Sequence, residues 1–494
     1  MDLLNADRAA AAGLDPALLA LPEKVVQFGT GAFLRGFADY FIDRANRQGR
    51  FGGRVVVVGS TGSGRTQQLN QQDGLYTLVV QGLAEGDPVD DAHLLTAISR
   101  ALSAHDQWDE VLACAVHPDL KVVVSNTTEV GIRYAPDDRP DDAPPSSFPG
   151  KLTAFLYARA QALAYDPARA LVVLPCELLV DNGDVLRGLV ERLAAEWYPT
   201  DKAFATWLRA CRFCNTLVDR IVPGRPAPAK RHELFDRLGY RDDLLITAEP
   251  YRLWAVQGDE ALVAQAPFLA GHPGLVVTPD VAPYRELKVR ILNGAHTILV
   301  PAALLYGLDT VRDAVTDTVL GRFVRSAMQD EIVPSLSVER PRAETFARAV
   351  LDRFANPFIV HQLRSIMLQA TMKMRVRVLP SIRRHLALNG TAPPTLTLGF
   401  ALFLLFHRHT DFTGFPPDDH RATLQRHWAQ VPPSPQADDV AAAVHAILAD
   451  ASLWHADLTT WDGFAPAVQH YLQRALRESP EAVLRAHVHT LADA

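Results

Sequence analysis

The stretch Lys24-Val25-Val26-Gln27-Phe28-Gly29-Thr30-Gly31-Ala32-Phe33-Leu34-Arg35-Gly36 decides the architecture of this chain. A short β-branched run ends in a glycine pair and passes directly into a helical period, in which Phe37, Tyr40, Phe41 and Arg44 recur at three- and four-residue spacing. A tight glycine turn at the carboxyl end of a strand lets backbone N–H groups and a helix N-terminus approach a pyrophosphate. Gly29, Thr30, Gly31, Ala32 and Phe33 are therefore the candidate dinucleotide contacts. The third glycine of G-x-G-x-x-G is replaced by Leu34, so an ordinary tight strand-to-helix turn is the competing reading.

Outward from this turn the pattern repeats. Residues 54–59 (RVVVVG), 121–125 (KVVVS) and 170–174 (ALVVL) are further apolar runs, and helical periods such as 34–46 and 151–163 lie between runs. Near-continuous apolar strands suit a parallel sheet covered on both faces, and their alternation with helices predicts a doubly wound α/β fold. A loop rich in Pro and Asp spans 135–149. After residues 275–278 (LVVT) and Pro283 strands cease, and amphipathic segments such as 287–303, 344–354 and 441–449 run to the C-terminus. The expected organisation is a Rossmann-like N-terminal domain over residues 1–283 and a mainly α-helical C-terminal domain over 284–494.

Composition bounds the partners. The 494 residues carry 49 Lys+Arg against 56 Asp+Glu, a net charge of −7. With 48% hydrophobic residues the chain is too apolar to be disordered, and its charge offers no basic footprint for nucleic acid or anionic membrane. Four cysteines, Cys114, Cys176, Cys211 and Cys214, match a reducing compartment rather than a secreted disulfide framework. Cys211-x-x-Cys214 has no second ligand pair nearby, so no metal is expected, and the spacing reads as two thiols on one helical turn. The apolar stretch at 396–406 falls short of the roughly 20 residues a membrane span needs and reads as a buried helix. A cytoplasmic enzyme acting on a small molecule, without membrane or nucleic-acid partners, is the expectation.

Polar residues cluster where strands end. Ser125, Asn126 and Thr127, within Ser125-Asn126-Thr127-Thr128-Glu129, can hydrogen-bond a nicotinamide or ribose, or simply cap the loop. The second strand ends in Gly59-Ser60-Thr61-Gly62-Ser63-Gly64-Arg65 without the acidic residue that usually holds the NAD ribose. NAD is expected, and NADP, with Arg65 on its 2′-phosphate, is not excluded. The densest constellation is Lys288-Val289-Arg290-Ile291-Leu292-Asn293-Gly294-Ala295-His296. Helical i, i+4, i+8 spacing places Lys288 and His296 on one side, with Asn293 three residues before His296. A partly desolvated lysine has a lowered pKa and can exchange the alcohol proton, while Asn and His donate hydrogen bonds to a developing alkoxide. A surface Lys, a buried structural Asn and a satisfied His would make the same pattern.

Three ordered motifs carry a family resemblance. The G-x-G-x-F-x-R turn at 29–35, Val218-Asp219-Arg220-Ile221-Val222-Pro223, and the K-x-x-x-x-N-x-x-H set of Lys288, Asn293 and His296 resemble the mannitol dehydrogenase family of polyol-specific long-chain dehydrogenases. The resemblance extends over nearly the whole chain. It implies NAD-dependent, metal-independent hydride transfer in a cleft between the two domains, with Lys288, Asn293 and His296 as the catalytic set. The stretches at 125–131, 175–184, 291–301, 353–363 and 373–380 are most similar to the branch that acts on keto-uronates. Cys176-Glu177-Leu178 departs from the Cys-Asp-Asn of polyol oxidisers, leaving Glu177 or Asn182 as a replacement helper at the substrate. A uronate carboxylate asks for a cation, for which Arg375 and Arg377 beside Lys373 are the candidates, with His361 for a substrate hydroxyl. Another uronate or a neutral polyol is the alternative substrate within the family, and a non-catalytic dinucleotide-binding sensor is the alternative of another class.

Overall fold

The structure, a computed structural model, describes residues 1–60, 64–127 and 131–491, with the side chain of His409 also outside the description. Thr61, Gly62, Ser63, Thr128 and Glu129, named above, therefore lie outside the described residues. The chain divides into two compact units. The first comprises 1–81 with 89–281, and the second comprises 82–88 with 282–494. The division falls two residues before the expected boundary, and the short segment 82–88 belongs with the C-terminal unit.

The strands, in chain order, are β1 (Glu23–Phe28), β2 (Arg54–Gly59), β3 (Tyr76–Ala84), β4 (Asp87–Leu95), β5 (Ile98–Ser103), β6 (Val122–Ser125), β7 (Val172–Pro175), β8 (Arg212–Phe213), β9 (Thr216–Asp219), β10 (Ile246–Ala248), β11 (Leu253–Gln257) and β12 (Leu275–Thr278). Six of them form the main sheet in the order β5-β2-β1-β6-β7-β8, and its pairings are parallel. Two three-stranded sheets, β10-β3-β4 and β12-β11-β9, complete the strand layers.

The valine runs have a direct physical reason. Val25, Val55, Val57, Val122, Val124, Val172 and Leu174 enter one apolar core, while Val26, Val56, Val58, Val123 and Val173 enter another. Successive strand residues point to opposite faces, so a sheet buried on both sides needs an apolar residue at every position. The same alternation corrects the Cys-x-x-Cys reading. Cys211 and Cys214 flank β8 rather than sharing a helical turn, and they enter opposite cores. Burial pushes both thiols up to about 12, and two thiols on opposite faces of a sheet cannot share an ion.

The strand order reverses between β1 and β6, where Phe28 is in register with Ser125. That reversal opens a crevice at the carboxyl ends of the strands, where open α/β sheets take their ligands. A buried polar network lies beneath it. Gln27 Nε2 donates to Gly29 O (3.2 Å) and to Asp39 Oδ2 (3.4 Å), Tyr76 Oη donates to Arg35 O (2.7 Å), and Arg35 Nη1 donates to Leu244 O (2.7 Å).

The second unit is helical, with no strand after residue 283 among the described residues. Its central helix, Pro394–His409, contains the apolar run and is buried along Leu396 to Phe406, as a helix apolar all round must be. Glu331 Oε1 and Oε2 accept from the N–H groups of Thr395 and Leu396, each at 2.7 Å, satisfying orphan donors at that helix's start. No helix among the described residues is long and apolar enough to cross a membrane.

Asp39 provides a test of the network under the turn. Burial, opposed by the Gln27 hydrogen bond and the Arg35 charge, raises its pKa from 3.8 to about 7. A folded-state pKa above the unfolded one gives stability that is complete below the unfolded value and is lost as pH rises through the folded value. Asp39→Asn removes this loss. In denaturant titrations from pH 5 to pH 8 the stability difference should move in the variant's favour by about 2 kcal/mol. A pH-independent difference would show that Asp39 is not the titrating group.

Candidate active site

In the first unit the glycine turn is built by conformation and by contact. Gly29 has φ +132°, and a Cβ there would sit 2.9 Å from Asn126 O. Asn126 N in turn donates to Phe28 O (3.1 Å), so the chains leaving β1 and β6 touch at this point. Only glycine meets both demands. Gly31 precedes the helical turn Ala32–Arg35 in an extended conformation, and a Cβ on it would meet nothing within 4 Å. Among the described residues the N–H groups of Gly31, Ala32 and Phe33 have no acceptor. Open space beside three unused donors fits an anionic diphosphate. The helix differs from the expected continuous period: it pauses at Gly36 and Phe37 and restarts as Ala38–Arg47. Thr30 packs its methyl group beside Gly59, and Phe33 stacks on Phe37 with ring centroids 5.0 Å apart.

The polar residues at the strand ends are engaged mainly with one another. Ser125 Oγ donates to Glu177 Oε2 (3.1 Å), while Thr127 N and Oγ1 both donate to Glu177 Oε1 (3.0 Å each). Asn126 Nδ2 donates to Cys176 O (2.7 Å). Ser125 and Glu177 are buried, and burial raises the Glu177 pKa against these hydrogen bonds. Asn182 Nδ2 donates to Pro175 O, Glu177 O and Thr216 Oγ1, and its Oδ1 accepts from the N–H groups of Gly183 and Thr216. These side chains tie the loops after β6 and β7 into one frame. Both carboxylate oxygens of Glu177 and both polar atoms of Asn182 are taken, a geometry for holding loops rather than for contacting substrate. Arg65 is exposed, with Nη1 3.3 Å from Gln68 Oε1.

In the second unit the Lys–Asn–His segment is not a regular α-helix. Ala282–Leu287 is α-helical, Lys288–Asn293 is a π-turn with i→i+5 bonding, and Gly294–Leu305 resumes the α-helix. The wider turn changes the phase assumed from the sequence. Residues five apart come into line, so Lys288 lies over Asn293, and His296 follows one α-turn later. Gly294 has a packing role here. A Cβ on it would lie 3.3 Å from Arg377 O, 3.7 Å from Val289 O and 3.8 Å from Ile332 Cδ1. Those partners belong to three π-turns, Lys288–Asn293, Ala327–Ile332 and Met374–Val378, which meet at this glycine. Arg290 Nη1 donates to Val376 O (2.7 Å), bracing one turn against another.

His296 is sandwiched. Its ring stacks on Phe354 at 4.0 Å and 14°, and meets His361 edge-on at 5.3 Å. Its Nε2 is buried without a hydrogen-bond partner among the described residues. Burial, and then the charges of His361, Arg353, Arg377 and Lys373, hold its pKa well below the usual value, so the imidazole is neutral at pH 7. The Asn293 side chain makes no hydrogen bond among the described residues, while its carbonyl accepts from Thr297 Oγ1.

The three cations predicted around the substrate carboxylate separate. Lys373 and Arg377 both act on His296. Lys373 Nζ donates to Ile366 O (2.8 Å), and burial plus the Arg377 charge lower its pKa to about 8. Burial lowers Arg377 to about 10. Arg375 instead donates to Leu453 O (3.1 Å) and to His455 Nε2 (3.0 Å). Neither Lys373 nor Arg377 has a carboxylate within ion-pairing distance among the described residues. Arg353 and Phe354 also act on His296, one by charge and the other by stacking. Nothing in their own spacing marks them, because they reach His296 only through the packing of the helix Arg340–Phe354.

This combination of a glycine turn at a sheet switch point and a Lys–Asn–His set in a helical unit has known counterparts. Residues 23–270 match the mannitol dehydrogenase Rossmann domain and residues 280–476 the mannitol dehydrogenase C-terminal domain. The chain belongs to the mannitol dehydrogenase family, and it is an oxidoreductase acting on CH–OH groups. It is 40% identical over 469 residues to the altronate oxidoreductase of Bacillus subtilis (strain 168), covering 92% of this chain and 95% of that relative. It is 41% identical over 466 residues to the altronate oxidoreductase of Cronobacter sakazakii, again covering 92% and 95%. In fold it is similar to Pseudomonas fluorescens mannitol 2-dehydrogenase in ternary complex with NAD and D-mannitol, with TM-score 0.67, 22% identity and complete coverage of both chains. Substrate-free D-sorbitol dehydrogenase gives TM-score 0.76 at 21% identity, covering 98% of this chain and 97% of that one.

Gly29→Ala tests the turn. A side chain at φ +132° against Asn126 O must displace the β1–β6 junction, so NADH binding measured by fluorescence titration should weaken at least tenfold. Gly31→Ala, whose Cβ enters open space, should leave thermal stability unchanged and weaken NADH binding. Unaltered NADH binding in both variants would remove the turn from the nucleotide site.

Proposed function

We propose that this chain is an NAD-dependent altronate oxidoreductase, interconverting D-altronate and D-tagaturonate by hydride transfer without a metal. The observation that carries this reading is the half-buried pair Lys373 and Arg377. Two cations held close, each with a depressed pKa and without an ion pair among the described residues, are costly unless an anion joins them, since the Asp418 charge offsets the burial of Lys373 only in part. A neutral polyol has no use for that arrangement, whereas the carboxylate of a uronate does. The names of the relatives at about 40% identity agree with it.

The backbone donors at 31–33 would hold the NAD diphosphate, and when bound the nicotinamide supplies or accepts the hydride. The chain's own residues handle the proton and the charge. In the reducing direction Lys288 gives its proton to the carbonyl oxygen as the carbon becomes tetrahedral, and in oxidation it takes that proton back. Asn293 donates a hydrogen bond to the same oxygen. His296, held neutral by burial, is the second donor. Such donors act most strongly where water is excluded and are aimed before the charge develops. Phe354 and His361 fix the imidazole plane. Glu177 and Asn182 act at one remove, by holding the loops after β6 and β7.

Initial rates with tagaturonate, fructuronate and fructose, each with NADH and NADPH, test the assignment. Tagaturonate with NADH should give the highest kcat/KM, and absence of turnover with it would overturn the reading. Lys288→Ala should lower kcat by about 10²–10⁴-fold while NADH binding persists. Arg377→Ala should raise KM for tagaturonate at least tenfold and leave kinetics on fructose unchanged.

The pH profile gives a separate test. Lys373 loses its proton above about 8. KM for tagaturonate should therefore climb as pH passes that value, and Lys373→Arg should flatten the climb.

A further inference from the structure

The second unit contains another concavity, about 560 Å³ in volume, lined by none of Lys288, Asn293, His296, Lys373 or Arg377. Arg290 and Arg375 enter it from two of the π-turns, and Arg383 and Arg384 enter it from the helix Leu379–Asn389. None of these four guanidinium groups is ion-paired among the described residues. Arg290 and Arg375 are instead held in place by neutral acceptors, Val376 O for Arg290 and Leu453 O with His455 Nε2 for Arg375. The one carboxylate in the lining, Glu286, accepts from the N–H and hydroxyl of Ser337, and its charge also acts on Arg290. Ser381 also lines the cavity. It is 2% exposed, and its Oγ has no hydrogen-bond partner among the described residues. Trp461 and Leu379 add an apolar wall.

We propose that this cavity binds a small phosphate ester. Several guanidinium groups facing a single carboxylate match a compact dianion, and Arg presents paired donors suited to phosphoryl oxygens. The buried Ser381 hydroxyl supplies a further donor that the protein itself leaves unused. A bare inorganic ion would leave most of 560 Å³ unfilled, whereas the organic part of an ester reaches the Trp461 and Leu379 wall. Two anchored arginines give the site fixed geometry, and the exposed Arg383 and Arg384 can close on the ligand from the rim.

Titration calorimetry and tryptophan fluorescence on the enzyme saturated with NADH, so that the nucleotide turn does not compete, test the proposal. The probes are ribose 5-phosphate, inorganic phosphate and ribose. Ribose 5-phosphate should bind with a submillimolar Kd and more tightly than inorganic phosphate, and ribose should not bind. Arg383→Ala and Arg384→Ala should each weaken ribose 5-phosphate at least fivefold, with turnover in phosphate-free buffer unchanged. Ser381→Ala should weaken it without altering thermal stability. No binding of ribose 5-phosphate at millimolar concentration would overturn the proposal, as would binding insensitive to Arg383 and Arg384, or tighter binding of inorganic phosphate.

Discussion

The contact on which the candidate catalytic wall depends is the approach of backbone to backbone at Gly294. A Cβ there would stand 3.3 Å from Arg377 O, tighter than an ordinary contact, so glycine lets the turn at Lys288–Asn293 sit against that carbonyl, with Ile332 beside it, without displacing it. A π-turn trades regular hydrogen bonding for a wider loop and survives only where the surroundings compensate. Here the surroundings are two further π-turns and the Arg290 guanidinium, which takes the Val376 carbonyl. Lys288 and Asn293 therefore owe their alignment to tertiary packing.

The electrostatics of the wall follow from the same packing. His296 is held neutral by burial among positive groups, which suits it to donate a hydrogen bond rather than carry charge. Burial depresses both Lys373 and Arg377, and the Arg377 charge depresses Lys373 further, which suits the pair to receive an anion. In the first unit the polar groups serve the opposite purpose. Ser125, Thr127, Glu177 and Asn182 satisfy one another inside the protein and hold a crevice open by rigidity.

Much of the first unit was legible because its main sheet is buried on both faces. That condition writes an unbroken apolar signal at residues 24–28, 54–59, 121–125 and 170–174, and β1, β2, β6 and β7 lie there. β4 was not legible, since Asp87–Leu95 is largely exposed and polar and carries no period-two pattern. In the second unit the residue types of Lys288, Asn293 and His296 were readable, but their phase was not, because no local propensity encodes a π-turn. Arg375 and Arg377 look interchangeable two residues apart, and only the turn geometry sends one toward His296 and the other toward His455. Glu177 and Asn182 stood out as polar residues beyond a strand, a position equally suited to binding ligand and to tying loops.

The wide turn at Lys288–Asn293 also fixes how the segment tolerates changes in length. Surface loops absorb an added or lost residue at small cost. Between Lys288 and Asn293, losing one residue would let the backbone relax into a continuous α-helix with the segment beyond it nearly in place, because a π-turn takes up one residue more than an α-turn over almost the same rotation. What would be lost is the wide loop itself, against which Arg290 braces Val376 O and the neighbouring π-turns pack, with the composition of the segment almost unaltered. For this stretch the number of residues is as strict a determinant as their identity, and chain length here is itself a chemical parameter of the site.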